Sequence, residues 1–130
     1  MMAAAAALLA TSSLAQALTL ECNIPSTNSG GGYVTELYVF EFNEQTGEAL
    51  VADGWIMHVH DTPIAAKVSD NSKKKLALSW NLVITNSSGQ QTKMQYRAAY
   101  YKETKEVVVR ATPGGGYGGS FEGRGKCKTL

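Results

Sequence analysis

Two histidines and an aspartate in the middle of the chain are the residues whose types and spacing come nearest to a reactive site. They are His58, His60 and Asp61, and the sequence has no other histidine. On a strand, side chains two positions apart project from the same face, so the two imidazoles would lie side by side next to the carboxylate. Imidazole and carboxylate are both zinc ligands. The favoured interpretation is a strand over Glu48–His60, bent at Gly54, that carries two ordinary histidines near its end, and a metal site at that end is the alternative.

The glycines before the last predicted strand match the letters of a dinucleotide-binding motif but not its setting. Gly114, Gly116 and Gly119 have the G-x-G-x-x-G spacing. That motif requires a helix directly after the glycines and an acidic residue about 20 positions further on. A strand-like run follows here instead. The sequence also has no G-x-S-x-G nucleophile motif, so we expect neither a cofactor nor an enzymatic activity.

The first residues have the composition of a signal peptide. An apolar run over Met1–Ala10 leads through three polar residues to Ala15-Gln16-Ala17, a small-x-small sequence of the kind that signal peptidase cleaves. We therefore predict a signal peptide over residues 1–17 and a single β-domain over residues 18–130. This interpretation places the mature protein in the periplasm or outside the cell.

The cysteines and the charges narrow the class of protein further. Exported chains keep their cysteines oxidised, and Cys22 and Cys127 are the only two in the sequence, so they are predicted to form a disulfide.

The chain is nearly neutral, with twelve Lys and Arg residues and eleven Asp and Glu residues. This balance gives no electrostatic reason to expect nucleic-acid binding. The N-terminal apolar run is shorter than the roughly 20 residues of a membrane-spanning helix. We expect no transmembrane span, and a monomer.

Apolar and polar residues alternate through most of the chain after the signal peptide. The alternation is strictest over Lys75–Thr85 and Thr92–Tyr101, and the segment between them is rich in turn-forming residues. This pattern predicts a β-hairpin. Less regular runs bring the number of strands to about eight, over Leu18–Ile24, Tyr33–Asn43, Glu48–His60, Ile64–Ser69, Glu106–Thr112 and Ser120–Lys128.

Short links between successive strands favour an all-β fold in which one antiparallel meander forms a small closed or flattened barrel. An open β-sandwich is the alternative. The interior of so small a barrel should be filled by large side chains such as Trp55, Trp80, Phe40 and Leu82. A large ligand cavity is therefore not expected.

Two glycine-rich segments each contain the sequence G-G-G-Y, which places Tyr33 and Tyr117 beside flexible loops. Tyrosine offers a large contact area at a small entropic cost. The favoured hypothesis is a non-catalytic exported barrel that binds a protein or a cell-envelope component through these loops. A periplasmic metal-binding protein that uses the histidine pair is the second hypothesis.

The C-terminal sequence Phe121-Glu122-Gly123-Arg124-Gly125-Lys126-Cys127 resembles the ends of small bacterial periplasmic proteins that finish in a strand with Gly-x-Cys. The whole layout is also similar to that of the bacterial inhibitors of c-type lysozyme, which are eight-stranded barrels with a disulfide on a terminal strand. In that family a Ser-Gly-x-x-Tyr loop enters the active site of the target. The corresponding residues here are Ser88 and Gly89, with Thr92 at the position of the tyrosine. This resemblance implies a third hypothesis, inhibition of lysozyme or another hydrolase.

Overall fold

The computed structural model describes residues 17–28, 32–114 and 119–130. The predicted signal peptide, apart from its last residue, and Tyr117 lie outside the described residues. The secondary structure consists of β1 (Ala17–Asn28), β2 (Leu37–Asn43), β3 (Ala49–Ala52), α1 (Gly54–His60), β4 (Ile64–Asn71), β5 (Lys75–Thr85), β6 (Gln91–Tyr101), β7 (Glu106–Pro113) and β8 (Phe121–Thr129).

The eight strands form a closed barrel in chain order. Each strand pairs antiparallel with the next, and β8 pairs with β1 to complete the ring. The predicted closed meander is confirmed, and the open sandwich is not formed. The predicted hairpin is also confirmed, because β5 and β6 pair without a register shift from Lys75 opposite Tyr101 to Thr85 opposite Gln91.

Alternate side chains of each strand fill the interior. Phe40, Trp80 and Leu82 are buried there as predicted. The Trp80 ring stacks on Tyr96, with 5.4 Å between the ring centroids, and also lies within 6.1 Å of Tyr38. Aromatic side chains bury large apolar areas and stabilise small cores efficiently. The described interior is thus a packed core.

The prediction of a single strand over Glu48–His60 is wrong in its second half. Strand β3 stops at Ala52, and the next residues form the short helix α1. Asp53 explains the change, because its side-chain Oδ1 accepts a hydrogen bond from the backbone N–H of Ile56, 2.8 Å away, and so caps the helix N-terminus. Gly54 therefore begins a helix instead of bending a strand. Trp55, predicted to be interior, lies on this helix and is only half-buried.

The barrel closes where the first strand meets the last. Cys22 lies directly opposite Cys127 in the β1–β8 register, and the two form the predicted disulfide. Two residues before Cys127, β8 passes so close to β1 that a Cβ atom on Gly125 would overlap the backbone carbonyl oxygen of Asn23. Only glycine permits this approach, which gives the Gly-x-Cys sequence a structural reason.

An up-and-down meander places alternate connections at opposite ends of the barrel. One end carries residues 32–36, helix α1 and the β5–β6 turn, and is called the helix end below. The β2–β3, β4–β5 and β6–β7 turns lie at the other end.

Candidate functional site

The helix end brings together every described residue that the sequence analysis selected as a metal-binding or partner-binding candidate. Tyr33 lies in the connection before β2, His58, His60 and Asp61 lie on or directly after α1, and Ser88 and Gly89 lie in the β5–β6 turn. These segments are far apart in sequence, so their convergence is a consequence of the barrel topology. The helix end is therefore the candidate site for chemistry and for binding.

A buried carboxylate fixes helix α1 to the barrel. Asp53 accepts hydrogen bonds from the Ile56 N–H at 2.8 Å and from the Thr35 hydroxyl at 2.7 Å, so it joins the helix to the chain before β2. The Ile56 side chain is fully buried in the core. Burial raises the pKa of the Asp53 carboxyl above its ordinary value, although these hydrogen bonds oppose the rise. Both carboxylate oxygens are engaged, which suits a structural role.

Two tyrosines lie beneath this carboxylate. The Tyr38 hydroxyl accepts a hydrogen bond from the Thr35 N–H at 3.2 Å, and the Tyr96 hydroxyl donates one to the Tyr33 carbonyl at 2.8 Å. Burial raises the pKa of both phenols, and the nearby charge of Asp53 raises it further. Both phenols are therefore neutral at physiological pH and hold the connection between β1 and β2 in place.

The predicted metal site depended on a strand that does not exist. Successive residues of a helix are turned by about 100°, so His58 and His60 point to nearly opposite sides of α1. The His58 ring packs at its edge against Trp55, 6.1 Å away, while His60 is exposed. Among the residues that the structure describes, no group of three or more His, Cys, Asp or Glu side chains is arranged to hold a metal ion.

Tyr33 is less free than the loop-binding hypothesis assumed. Its side chain is half-buried, and its ring lies 5.0 Å from the ring of Phe121 at the start of β8. Part of this side chain therefore holds the connection before β2 against β8.

The Ser88-Gly89 turn has a defined conformation. The side-chain oxygen of Asn86 accepts hydrogen bonds from the Ser88 N–H at 3.1 Å, the Ser88 hydroxyl at 2.7 Å and the Gln90 N–H at 2.9 Å. Gly89 has a φ of 84°, a conformation that side-chain-bearing residues rarely adopt. The turn is exposed, and its role in hydrolase inhibition stays a prediction.

Exposed apolar side chains border the helix end. Met57 and Val59 on α1 are 41% and 40% exposed, and Leu37 at the start of β2 is 47% exposed. Val83, near the end of β5, is also exposed. We call these four residues the apolar rim. Sequence reasoning missed the rim because it placed α1 in a strand, yet Asp53 before the apolar run and Pro63 after it were usable signals for a helix.

The geometry defines a closed eight-stranded up-and-down β-barrel with exposed apolar side chains at its helix end, two of them on a short, firmly anchored helix. No protein-family model, curated protein or solved structure matches the chain. Its single described helix has seven residues, and no described helix is long and apolar enough to cross a membrane.

Proposed function

We propose that this chain is an exported, non-catalytic binding protein whose apolar rim contacts a protein partner. The observation that carries the proposal is the exposure of Met57 and Val59 on a helix that Asp53 and Ile56 hold rigidly. Met57 and Val59 lie two positions apart on α1 and so point to different sides of the helix, which makes Met57 the contact on which the proposal depends. Methionine in particular adapts its shape to a partner.

Rigidity supports the same conclusion. An interface whose residues are fixed before binding loses less conformational entropy on association. Helix α1 meets this requirement through its hydrogen bonds to Asp53 and the buried side chain of Ile56. The carboxylate and the phenols of the helix end are engaged in holding the backbone, so they support binding and not a catalytic reaction.

A site-specific photo-crosslinker tests the proposed surface. We would introduce it at position 57 in the cells that produce the protein, and at Leu50 as the matched control. Leu50 is equally exposed, at 41%, but lies on the outer face of β3, outside the rim. One discrete adduct from position 57 and none from position 50 supports the proposal. The proposal is refuted if both positions give the same products or if position 57 gives none.

Export is tested separately by the intact mass of the protein recovered from those cells. A chain that begins at Leu18 and lacks two hydrogens would show cleavage and the disulfide together. Cleavage there removes only the first residue of β1 and leaves its buried residues Leu20, Cys22 and Ile24 in place. A full-length mass would refute export without affecting the proposed binding surface.

A further inference from the structure

Positive charge is confined to one side of the barrel, although the whole chain is nearly neutral. All twelve Lys and Arg residues lie between positions 67 and 128, whereas seven of the eleven Asp and Glu residues lie between positions 21 and 61. Because the strands follow chain order around the barrel, β1–β3 and the connections next to them form an acidic side, and β4–β8 with their turns form a basic side. The near-neutral total charge, which gave no reason to expect nucleic-acid binding, is therefore the sum of two oppositely charged sides.

The basic side carries an open groove of about 890 Å³ on the outer face of β5–β8. Its floor is a row of small side chains that are neighbours across the strands, Ala77, Ala99 and Val108. Arg97 and Arg110 border the floor at one side, and Tyr101 lies at the other side with Lys75, Glu106 and Lys126. Arg124 lies opposite Val108 at the β8 end of the row. The groove therefore exists because three short residues lie next to one another across β5, β6 and β7, with longer side chains around them.

The arginines of the groove have too few acidic partners. Arg97 lies directly opposite Arg110 in the β6–β7 register, and like charges in that position repel each other. One carboxylate, Glu122, is shared by Arg110 at 2.6 Å and Arg124 at 3.3 Å. The hydrogen bond from Arg110 lowers the pKa of Glu122, so this carboxylate is ionised. The side chain of Arg97 has no hydrogen bond or ion pair with another described residue.

We propose that this groove binds a soluble organic phosphate monoester, with the phosphate between Arg97 and Arg110 and the organic part on the apolar floor. A phosphate monoester carries nearly two negative charges near neutral pH and three strong acceptor oxygens. It can therefore accept hydrogen bonds from two guanidinium groups at once. The floor and the Tyr101 ring offer apolar contacts to the rest of the ligand, and the volume is within the range of small-molecule sites.

The test is a titration of the isotopically labelled full chain with phenyl phosphate, followed by NMR chemical shifts at low salt. We expect saturable shifts centred on β6 and β7, with a dissociation constant below about 1 mM. Arg97→Gln should weaken binding at least tenfold, because it removes charge-assisted hydrogen bonds to the phosphate. Glu122→Gln should strengthen binding several-fold, because it removes the carboxylate that competes for Arg110.

Lys93→Gln is the matched control. Lys93 is an exposed basic residue on the same strand as Arg97 but does not line the groove. Its substitution should change the affinity less than about threefold, through screened charge alone. An equal loss in Lys93→Gln and Arg97→Gln would reduce the effect to general electrostatics and overturn the proposal. Equal affinity for phenyl sulfate, which carries one negative charge, would also overturn it.

Vesicles distinguish the source of the phosphate. Binding to phosphatidylcholine vesicles that contain phosphatidic acid, without binding to phenyl phosphate, would show a lipid-surface site and refute a soluble ligand. Failure to bind either probe refutes the site altogether. Arg97→Gln should fold normally, since it removes a like-charge pair from an exposed position, and thermal melting verifies this. None of these outcomes bears on the protein-binding surface, which lies at the helix end.

Discussion

Replacing both cysteines of the Cys22–Cys127 bridge with alanine should destabilise the barrel by about 4.8 kcal/mol, from the loop-closure entropy of a sequence separation of 105 residues. The large value follows from the position of the bridge. β1 and β8 come from opposite ends of the domain, so their pairing has the highest closure entropy of any pair in the sheet. The disulfide between β1 and β8 lowers the conformational entropy of the unfolded chain.

The magnitude can be converted into a melting temperature. An unfolding entropy of about 2.1 cal/mol/K per residue over about 110 residues gives roughly 0.23 kcal/mol/K. The expected fall in Tm is therefore about 20 °C. Urea unfolding should also show a larger m-value for the variant, because an unfolded chain without a cross-link exposes more surface.

Two comparisons separate the stabilising effect of the cross-link from that of the packing of the cysteine side chains. Cys22→Ala alone should cost nearly as much as the double substitution, because either one removes the bridge. A thiol reductant should lower the Tm of the wild type by a similar amount without creating a cavity, and should not affect the double variant. If the double substitution lowers the free energy of unfolding by less than about 1 kcal/mol, the loop-closure explanation for the effect of the bridge is refuted.

Two further predictions concern the glycines and the buried carboxylate. Gly125→Ala should destabilise the barrel by several kcal/mol, since its Cβ would overlap the backbone of Asn23. The control Gly54→Ala, whose Cβ would meet only a methyl group 4.0 Å away at the start of α1, should be neutral or stabilising by up to about 1 kcal/mol. Thermal melts compare the two, and equal losses would contradict the overlap. Burial raises the pKa of Asp53 in the folded chain. The protonated Asp53 therefore contributes most to the free energy of unfolding at a pH below 3.8, the ordinary pKa of the group. This contribution is lost as the pH rises through the raised pKa. The stability of the wild type relative to Asp53→Asn should therefore increase as the pH falls from 7 toward 4 in urea titrations, and a difference independent of pH would rule out this titration.

Local patterning was sufficient to predict most of the strands. The period-two alternation of Lys75–Thr85 and the turn-forming residues after it describe a hairpin in any surrounding structure, because alternate burial on a strand requires that pattern. The same reasoning predicted the number of strands, and a chain with two cysteines allows a single intramolecular pairing. Closure as a barrel followed from short connections.

The sequence around Asp53 shows where local reasoning failed. The residues after it carry an apolar run too short to distinguish a helix from a strand by periodicity. A helix forms because Asp53 caps it and because the core accepts Ile56. Assigning this segment to a strand placed His58 and His60 on one face, which suggested a metal site. It also left the exposure of Met57 unrecognised.

By itself, the sequence determined the strand pattern, the disulfide pair and the separation of acidic from basic residues along the chain, since these depend on residue type and order. Only the tertiary structure decided that distant segments meet at the helix end and that Arg97 lies opposite Arg110. Both depend on strand register and barrel closure. A shift of one residue in register would turn every side chain of a strand to the other face, and register is fixed by packing across the whole core.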